Sequence, residues 1–159
     1  MRIRSITPAD QARLWDLLHV ALWDPPPAGL RPREILEHPE VRIYAEGWGR
    51  FDDVGVIAED EAGEAMGACW MRVVPEGRGL AHVDEGTPQL GIAVMPRWQR
   101  QGVGRKVMGA ALDAARAHGF RKVALTVHPL NPAVGLYASM GFRHEGLRRT
   151  YHLMVRELG

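Results

Sequence analysis

The segment Val94-Met95-Pro96-Arg97-Trp98-Gln99-Arg100-Gln101-Gly102-Val103-Gly104-Arg105 reads as the end of a strand, a glycine-containing loop and the start of a helix. That order aims a row of free backbone N–H groups at one point. The first turn of a helix leaves its donors unpaired and carries partial positive charge. Glycine lets an anion approach the backbone without meeting a Cβ. The segment therefore predicts a site for a phosphate-bearing ligand. Two familiar phosphate loops do not fit. A P-loop needs Gly-Lys-Ser/Thr, and here Gly104 precedes Arg105-Lys106-Val107. A dinucleotide loop needs a third glycine where Val107 stands.

Working outward, Leu90 to Val94 reads as the preceding strand and residues 102–117 as the helix. Val103, Val107, Ala110, Ala111 and Ala114 form its expected apolar stripe. Gly119 stands where a helix C′ glycine belongs. Val123 to Val127 predicts the next strand. Asn131-Pro132 then opens a short helix, with Asn131 as N-cap and Pro132 at its first position. Ala133, Leu136, Tyr137 and Met140 share one face of it, and Gly141 closes it. Strands at about 142–147 and 150–157 follow.

Toward the N-terminus, residues 2–6 alternate as a strand. Thr7-Pro8-Ala9-Asp10 starts a helix carrying Leu14, Trp15, Leu18, Ala21 and Leu22 on one face. Asp24-Pro25-Pro26-Pro27 ends it. A second helix is expected over about 31–46. Val54, Val56 and Ile57, then Ala65 to Val74, read as two strands around an acidic turn, and 75–86 as a surface loop. The element order is β-α-α-β-β-β-α-β-α-β-β. Its β-α-β units over 90–127 and 123–147 predict an α/β (α+β) chain with a mixed sheet and helices on its faces.

At 159 residues the expectation is a single domain over 1–159 with a real core. The formal net charge of +1 gives no field to recruit nucleic acid or an anionic membrane. The lone cysteine, Cys69, lies in an apolar run and reads as a buried small hydrophobe. The N-terminal residues show no signal-peptide core, and no apolar run reaches transmembrane length. The expected location is cytoplasmic.

These residues match a known family. Gln99-Arg100-Gln101-Gly102-Val103-Gly104 fits the Q/R-x-x-G-x-G/A loop of the GNAT superfamily of acyl-CoA-dependent N-acyltransferases. The preceding Leu90-Gly91-Ile92-Ala93-Val94-Met95-Pro96 is similar to that family's strand. Asn131-Pro132-Ala133-Val134-Gly135-Leu136-Tyr137-Ala138-Ser139-Met140-Gly141-Phe142 is similar to its N-x-x-A-x-x-L-Y-x-x-x-G-F segment. The chain resembles the GNAT superfamily over nearly its whole length by element order, and over 90–142 by motif.

The resemblance implies a GNAT fold and acetyl-CoA as acyl-donor cosubstrate, with no metal. Gln99, Arg100, Gln101, Gly102, Val103, Gly104 and Arg105 would hold the pyrophosphate. Ile92, Ala93 and Val94 would pair through their backbone with the pantetheine arm, which Asn131 and Ala133 would also meet. One N–H of that strand would face the thioester oxygen as charge grows there. Tyr137 would protonate the leaving thiolate. An ordinary tyrosine pKa of ~10 is well matched to an alkyl thiol. On spacing alone, Tyr137 reads first as a core residue on an apolar helix face; the flanking motif favours the catalytic reading.

The general base is open. Pro88 and Gln89 occupy the region where some relatives carry a glutamate. Glu85 and His82 are the leading pair, acting through water; Asp84 and His128 are nearby alternatives, and an acceptor of low pKa needs no base. The implied activity is acetyl transfer to a primary amine of a small molecule or peptide, by direct attack in a ternary complex. A non-catalytic acyl-CoA-binding module and a transferase of a longer acyl group are the alternatives. A homodimer is possible, and no nucleic-acid or membrane partner is expected. The acceptor would lie among Trp23 to Tyr44, Arg72 to Gly86 and Arg143 to His152. Trp23, Trp48 and Trp70 read either as its wall or as core. Asp84 and Glu85 hint at a cationic acceptor; Arg148-Arg149-Thr150-Tyr151 would suit an acidic group.

Overall fold

The computed structural model describes residues 1–159. The strands are β1 (Arg2–Ser5), β2 (Val54–Glu59), β3 (Ala65–Arg72), β4 (Gln89–Val94), β5 (Lys122–Val127), β6 (Arg143–Arg148) and β7 (Tyr151–Glu157). The helices are α1 (Gln11–Ala21), α2 (Pro39–Arg42), α3 (Val103–His118) and α4 (Ala133–Ser139). Their order along the chain is the expected one. All strands join one mixed sheet in the order β1-β2-β3-β4-β5-β7-β6, antiparallel except for the β4–β5 pair.

Alternation along the strands divides the core between the two faces of the sheet. Val54, Val56, Cys69, Met71, Val123 and Leu125 turn toward α3 and α4. Ile57, Ala68, Trp70 and Ala93 turn toward α1, where Leu14, Leu17 and Leu18 are buried. Each such leucine contributes roughly 1.5–3 kcal/mol by leaving water. Trp48 and Trp70 belong to this second core and not to a cleft wall. Cys69 is fully buried, and burial pushes its thiol pKa up. That is the environment of an inert core thiol.

Two sequence expectations need adjustment. The segment 31–46 is not one helix but a 3-10 turn (Arg33–Glu37) and the single turn of α2. Pro39 is the cause: it holds His38 extended at ψ 128°, which breaks the helical path. The buried stripe of α3 is Val103, Val107, Met108, Ala111, Leu112 and Ala115. Ala110 and Ala114 lie at its margin, so the face is rotated by one residue from the predicted one. The larger Met108 and Leu112 take the sheet-facing positions. Gly119 does close α3, at φ 101°.

The segment 43–53 is pinned beneath the sheet by a buried ion pair. Arg72 Nη2 lies 2.6 Å from Asp53 Oδ2, and Arg72 Nη1 donates to the carbonyls of Ile43 and Glu46. Both charges are thus paired and hydrogen-bonded, the condition for burying them. The 75–86 loop is also less free than its composition suggests. Ala81 packs against Ala124, Leu153 and Val155, which roofs the second half of the sheet.

Candidate active site

The parallel neighbours β4 and β5 share one register pair, Gln89 with Ala124, and then diverge. Beyond it, the edges of β4 and β5 that would bond each other are left open. Between them lies a cavity of about 590 Å³. Its wall includes Leu90, Gly91 and Ile92 from β4, Leu125 to Val127 from β5, and Asn131 and Tyr137 near α4. Gly91 is required by its neighbour: a Cβ there would come within 2.8 Å of the Trp70 ring.

The glycine loop sits at the outer end of β4. Arg100 (φ 63°) and Gly102 (φ 83°) are left-handed and curl the backbone just before α3. The first intrahelical bond runs from Lys106 N–H to Gly102 O at 3.2 Å. The N–H groups of Val103, Gly104 and Arg105 precede it and have no intrahelical acceptor. A Cβ on Gly102 would meet nothing within 4 Å, so the space before the helix is open. The side chains around it are largely engaged with the protein. Gln99 Nε2 donates to Val94 O (3.0 Å) and Gln101 Nε2 to Arg97 O (3.2 Å). Arg105 bonds Ser139 Oγ (2.9 Å) and so ties α3 to α4.

Asn131 caps α4, accepting the Ala133 N–H at 2.9 Å. Ala133 is half-buried against the α3 core. Tyr137 is 7% exposed, packs edge-on to Phe142 and reaches the cavity. Burial raises its pKa above the usual tyrosine value, with the nearby Cys69 thiol adding to the shift. The hydroxyl therefore stays protonated at neutral pH.

Of the predicted residues, Ile92, Asn131 and Tyr137 meet at the cavity. Ala93 and Val94 continue β4 toward the loop, and Ala93 turns into the opposite core. Glu85 and His82 are not brought to the wall. Glu85 is exposed, and the half-buried His82 offers its carbonyl to Arg148 at 2.6 Å. Asp84 is paired with Lys122, and its Thr87 contact holds its carboxyl below the usual range.

The sequence points to Trp23, His128 and Tyr151 near this wall, but not to the contacts that build it. Tyr44 donates to Gln89 Oε1, and Gln89 Nε2 donates to Arg78 O, which fastens the 77–81 loop over the cavity. Trp23, His128 and Tyr151 stack edge to edge, each ring pair at 5.9 Å. Arg31 joins this wall from a loop with no motif. Trp23 alone of the three suspected tryptophans lines the cavity.

A mixed sheet opened between two parallel strands, beside a glycine loop that starts a helix, defines the acyl-CoA-transferase class of α/β fold. The Acetyltransferase (GNAT) family model matches residues 15–142. Mycothiol acetyltransferase of Acidothermus cellulolyticus is 32% identical over 156 residues, covering 92% of this chain and 46% of that protein. The [ribosomal protein bS18]-alanine N-acetyltransferase of Escherichia coli is 38% identical over 71 residues, 44% of this chain and 47% of that protein. Among solved structures, yncA from Salmonella typhimurium, determined with its cofactor acetyl-CoA, superposes with a TM-score of 0.70 at 20% identity, over 100% of this chain and 94% of that one. The chain belongs to the GNAT acetyltransferase family. It spans less than half the length of these curated relatives.

Proposed function

We propose that this chain transfers acetyl from acetyl-CoA to a primary amine by direct attack. The observation that carries the reading is the cavity between β4 and β5, with the buried hydroxyl of Tyr137 on its wall and the open glycine loop at the outer end of β4. The free N–H groups of 103–105 and the curl at Arg100 and Gly102 suit a pyrophosphate. Arg100 adds charge there, while Gln99, Gln101 and Arg105 act chiefly by holding the loop's shape. The opened edge of β4 at Ile92, Ala93 and Val94 suits an amide-bearing arm, with Asn131 and Ala133 alongside. Bound acetyl-CoA supplies an activated thioester carbonyl. A β4 N–H faces its oxygen, and Tyr137 gives its proton to the departing sulfur. Glu40 is the one carboxylate on the wall, so the acceptor's proton leaves through water toward Glu40 or bulk solvent.

Calorimetry with acetyl-CoA, together with thiol release across a panel of amines, tests this. Saturable binding and amine-dependent release are expected. Absence of any heat or melting shift at millimolar acetyl-CoA sinks the proposal. Binding without release across the panel would favour a non-catalytic acyl-CoA module. A succinyl- or propionyl-CoA preference would favour a longer acyl group.

A further inference from the structure

We infer that the acceptor is a small amine that carries a carboxylate, bound where Arg149, Arg31, His128 and Tyr151 meet the cavity. This rests on the acetyl-transfer reading, since it assigns the second substrate of the same site. The wall carries three arginines (Arg31, Arg78 and Arg149) against one carboxylate, Glu40. Glu40 stands 3.9 Å from Arg78, so that pair is loose but mutually compensated. Arg31 is neutralised by Asp24, through contacts of 2.7 and 3.2 Å from Nε and Nη2. That fork leaves Nη1 outside the ion pair, with the Tyr151 hydroxyl as a further neighbour of the guanidinium. Arg149 has no such partner and is the uncompensated cation on the wall.

Backbone geometry sets Arg149 apart as well. It is the first residue of the two-residue turn between Arg148 and Tyr151, at φ 56°. A bulky side chain is strained there, and glycine would not be. The chain nevertheless places a guanidinium at that point.

His128 supplies a matching donor. The Leu130 N–H bonds its Nδ1 at 3.0 Å. Nδ1 therefore offers its lone pair inward, and the neutral ring carries its proton on Nε2. The ring presents an N–H, and its stacking between Trp23 and Tyr151 holds it in place. The carboxylate beside this end of the cavity, Asp24, is already engaged by Arg31, so Arg149 and the His128 N–H are left to suit a planar anion. Guanidinium is the side chain best shaped for a carboxylate.

Matched ligands test this on the wild type and on Arg149→Gly, a variant that removes the guanidinium and relieves the backbone. Leucine against leucinamide, and 4-aminobutyrate against butylamine, are compared as acceptors by thiol release. N-acetylleucine and N-acetylleucinamide are compared as ligands by calorimetry on CoA-saturated protein. At least one carboxylate partner is expected to be favoured about 10-fold or more in kcat/KM and in Kd. Arg149→Gly should erase that preference while its Tm stays equal or rises. Equal handling of acids and neutral analogues overturns the inference, as does a preference that survives in Arg149→Gly. A carboxylate preference in binding with no release from any amine would uphold the anion subsite and defeat the transferase reading instead.

Discussion

Tyr44 donates a hydrogen bond from its hydroxyl to Gln89 Oε1 at 3.0 Å while accepting the Leu80 backbone N–H at 3.2 Å. Gln89 completes the link by donating to Arg78 O at 2.9 Å. Both Oε1 and Nε2 are used, so a buried amide suits this position and a carboxylate does not. Gly79, at φ 90°, lies so close to the amide that a Cβ would fall 2.2 Å from Oε1. Gln89→Glu turns the donor toward Arg78 O into an acceptor and leaves two oxygens facing each other. We expect a loss of about 1–3 kcal/mol, and a raised acceptor KM because the 77–81 loop forms part of the cavity wall. Acetyl-CoA affinity should be unchanged. Thermal unfolding and two-substrate kinetics check this; a variant with wild-type Tm and KM would refute it.

Tyr137→Phe isolates the proposed proton donor. The ring packs against Phe142 within the α3 core, and phenylalanine keeps that contact. Turnover should fall about 100-fold, within the range of general acid catalysis, while the acetyl-CoA Kd stays within about 2-fold. Burial holds the tyrosine pKa above its ordinary value, so Tyr137 loses its proton only on the alkaline side of that value. Wild-type kcat should therefore show no alkaline loss from this group up to about pH 10. An unchanged kcat in the variant rules Tyr137 out as the acid.

Strong local signals were legible in the chain. The glycine loop, the Asn131 cap and the two-residue periodicity of the strands are set by residues within a few positions of one another, and the structure has each of them. The break in 31–46 has a local cause as well, Pro39, but the weak apolar markers on both sides of it favour the single helix that the structure does not have. The cavity wall was not readable in the same way. Gln89, Tyr44 and Arg78 are separated by up to 45 positions, and nothing local distinguishes their hydrogen bonds from solvated side chains. Glu85 and Asp84 drew attention by charge and position. Chain direction after the loop turns them toward solvent and Lys122. The tryptophans illustrate the same limit. Composition cannot separate Trp48 and Trp70, buried beneath the sheet, from Trp23 at the cavity.

The two motif glycines should respond differently to alanine. Gly102 is left-handed, so Ala there is strained by roughly 1–2 kcal/mol although no atom opposes the Cβ. The loop relieves that strain by shifting, which misaims the donors ahead of α3. Gly104 has no positive φ, and its Cβ would make ordinary 3.5 Å contacts with Leu136 and Val94. We expect Gly102→Ala to weaken acetyl-CoA binding about 10-fold and lower Tm. Gly104→Ala should change neither by much. Equal losses in both variants would show that the loop tolerates no added carbon whatever its backbone angles.

Acid sensitivity should originate at the junction of β1, α1 and β2. Arg4 places Nη1 and Nη2 2.8 Å from the two oxygens of Asp10, and Nε 3.0 Å from Glu59. Asp10 also accepts the Thr7 N–H at 2.8 Å, at the entry to α1. The Arg4 hydrogen bonds hold its carboxyl down to about 2, below the ordinary value for aspartate. A depressed folded-state pKa contributes stability that is fully present above the unfolded value of ~4 and is lost as pH falls through the folded one. The contribution is about 2 kcal/mol, and Asp10 is buried enough for most of it to survive screening by water. Asp10→Asn should therefore be less stable than wild type by about that amount at pH 7 and at pH 5. The gap should narrow between pH 4 and pH 2 and nearly close at pH 2. Urea unfolding at those four values measures it directly. A gap that stays constant with pH would mean that Asp10 stabilises the junction by shape rather than charge.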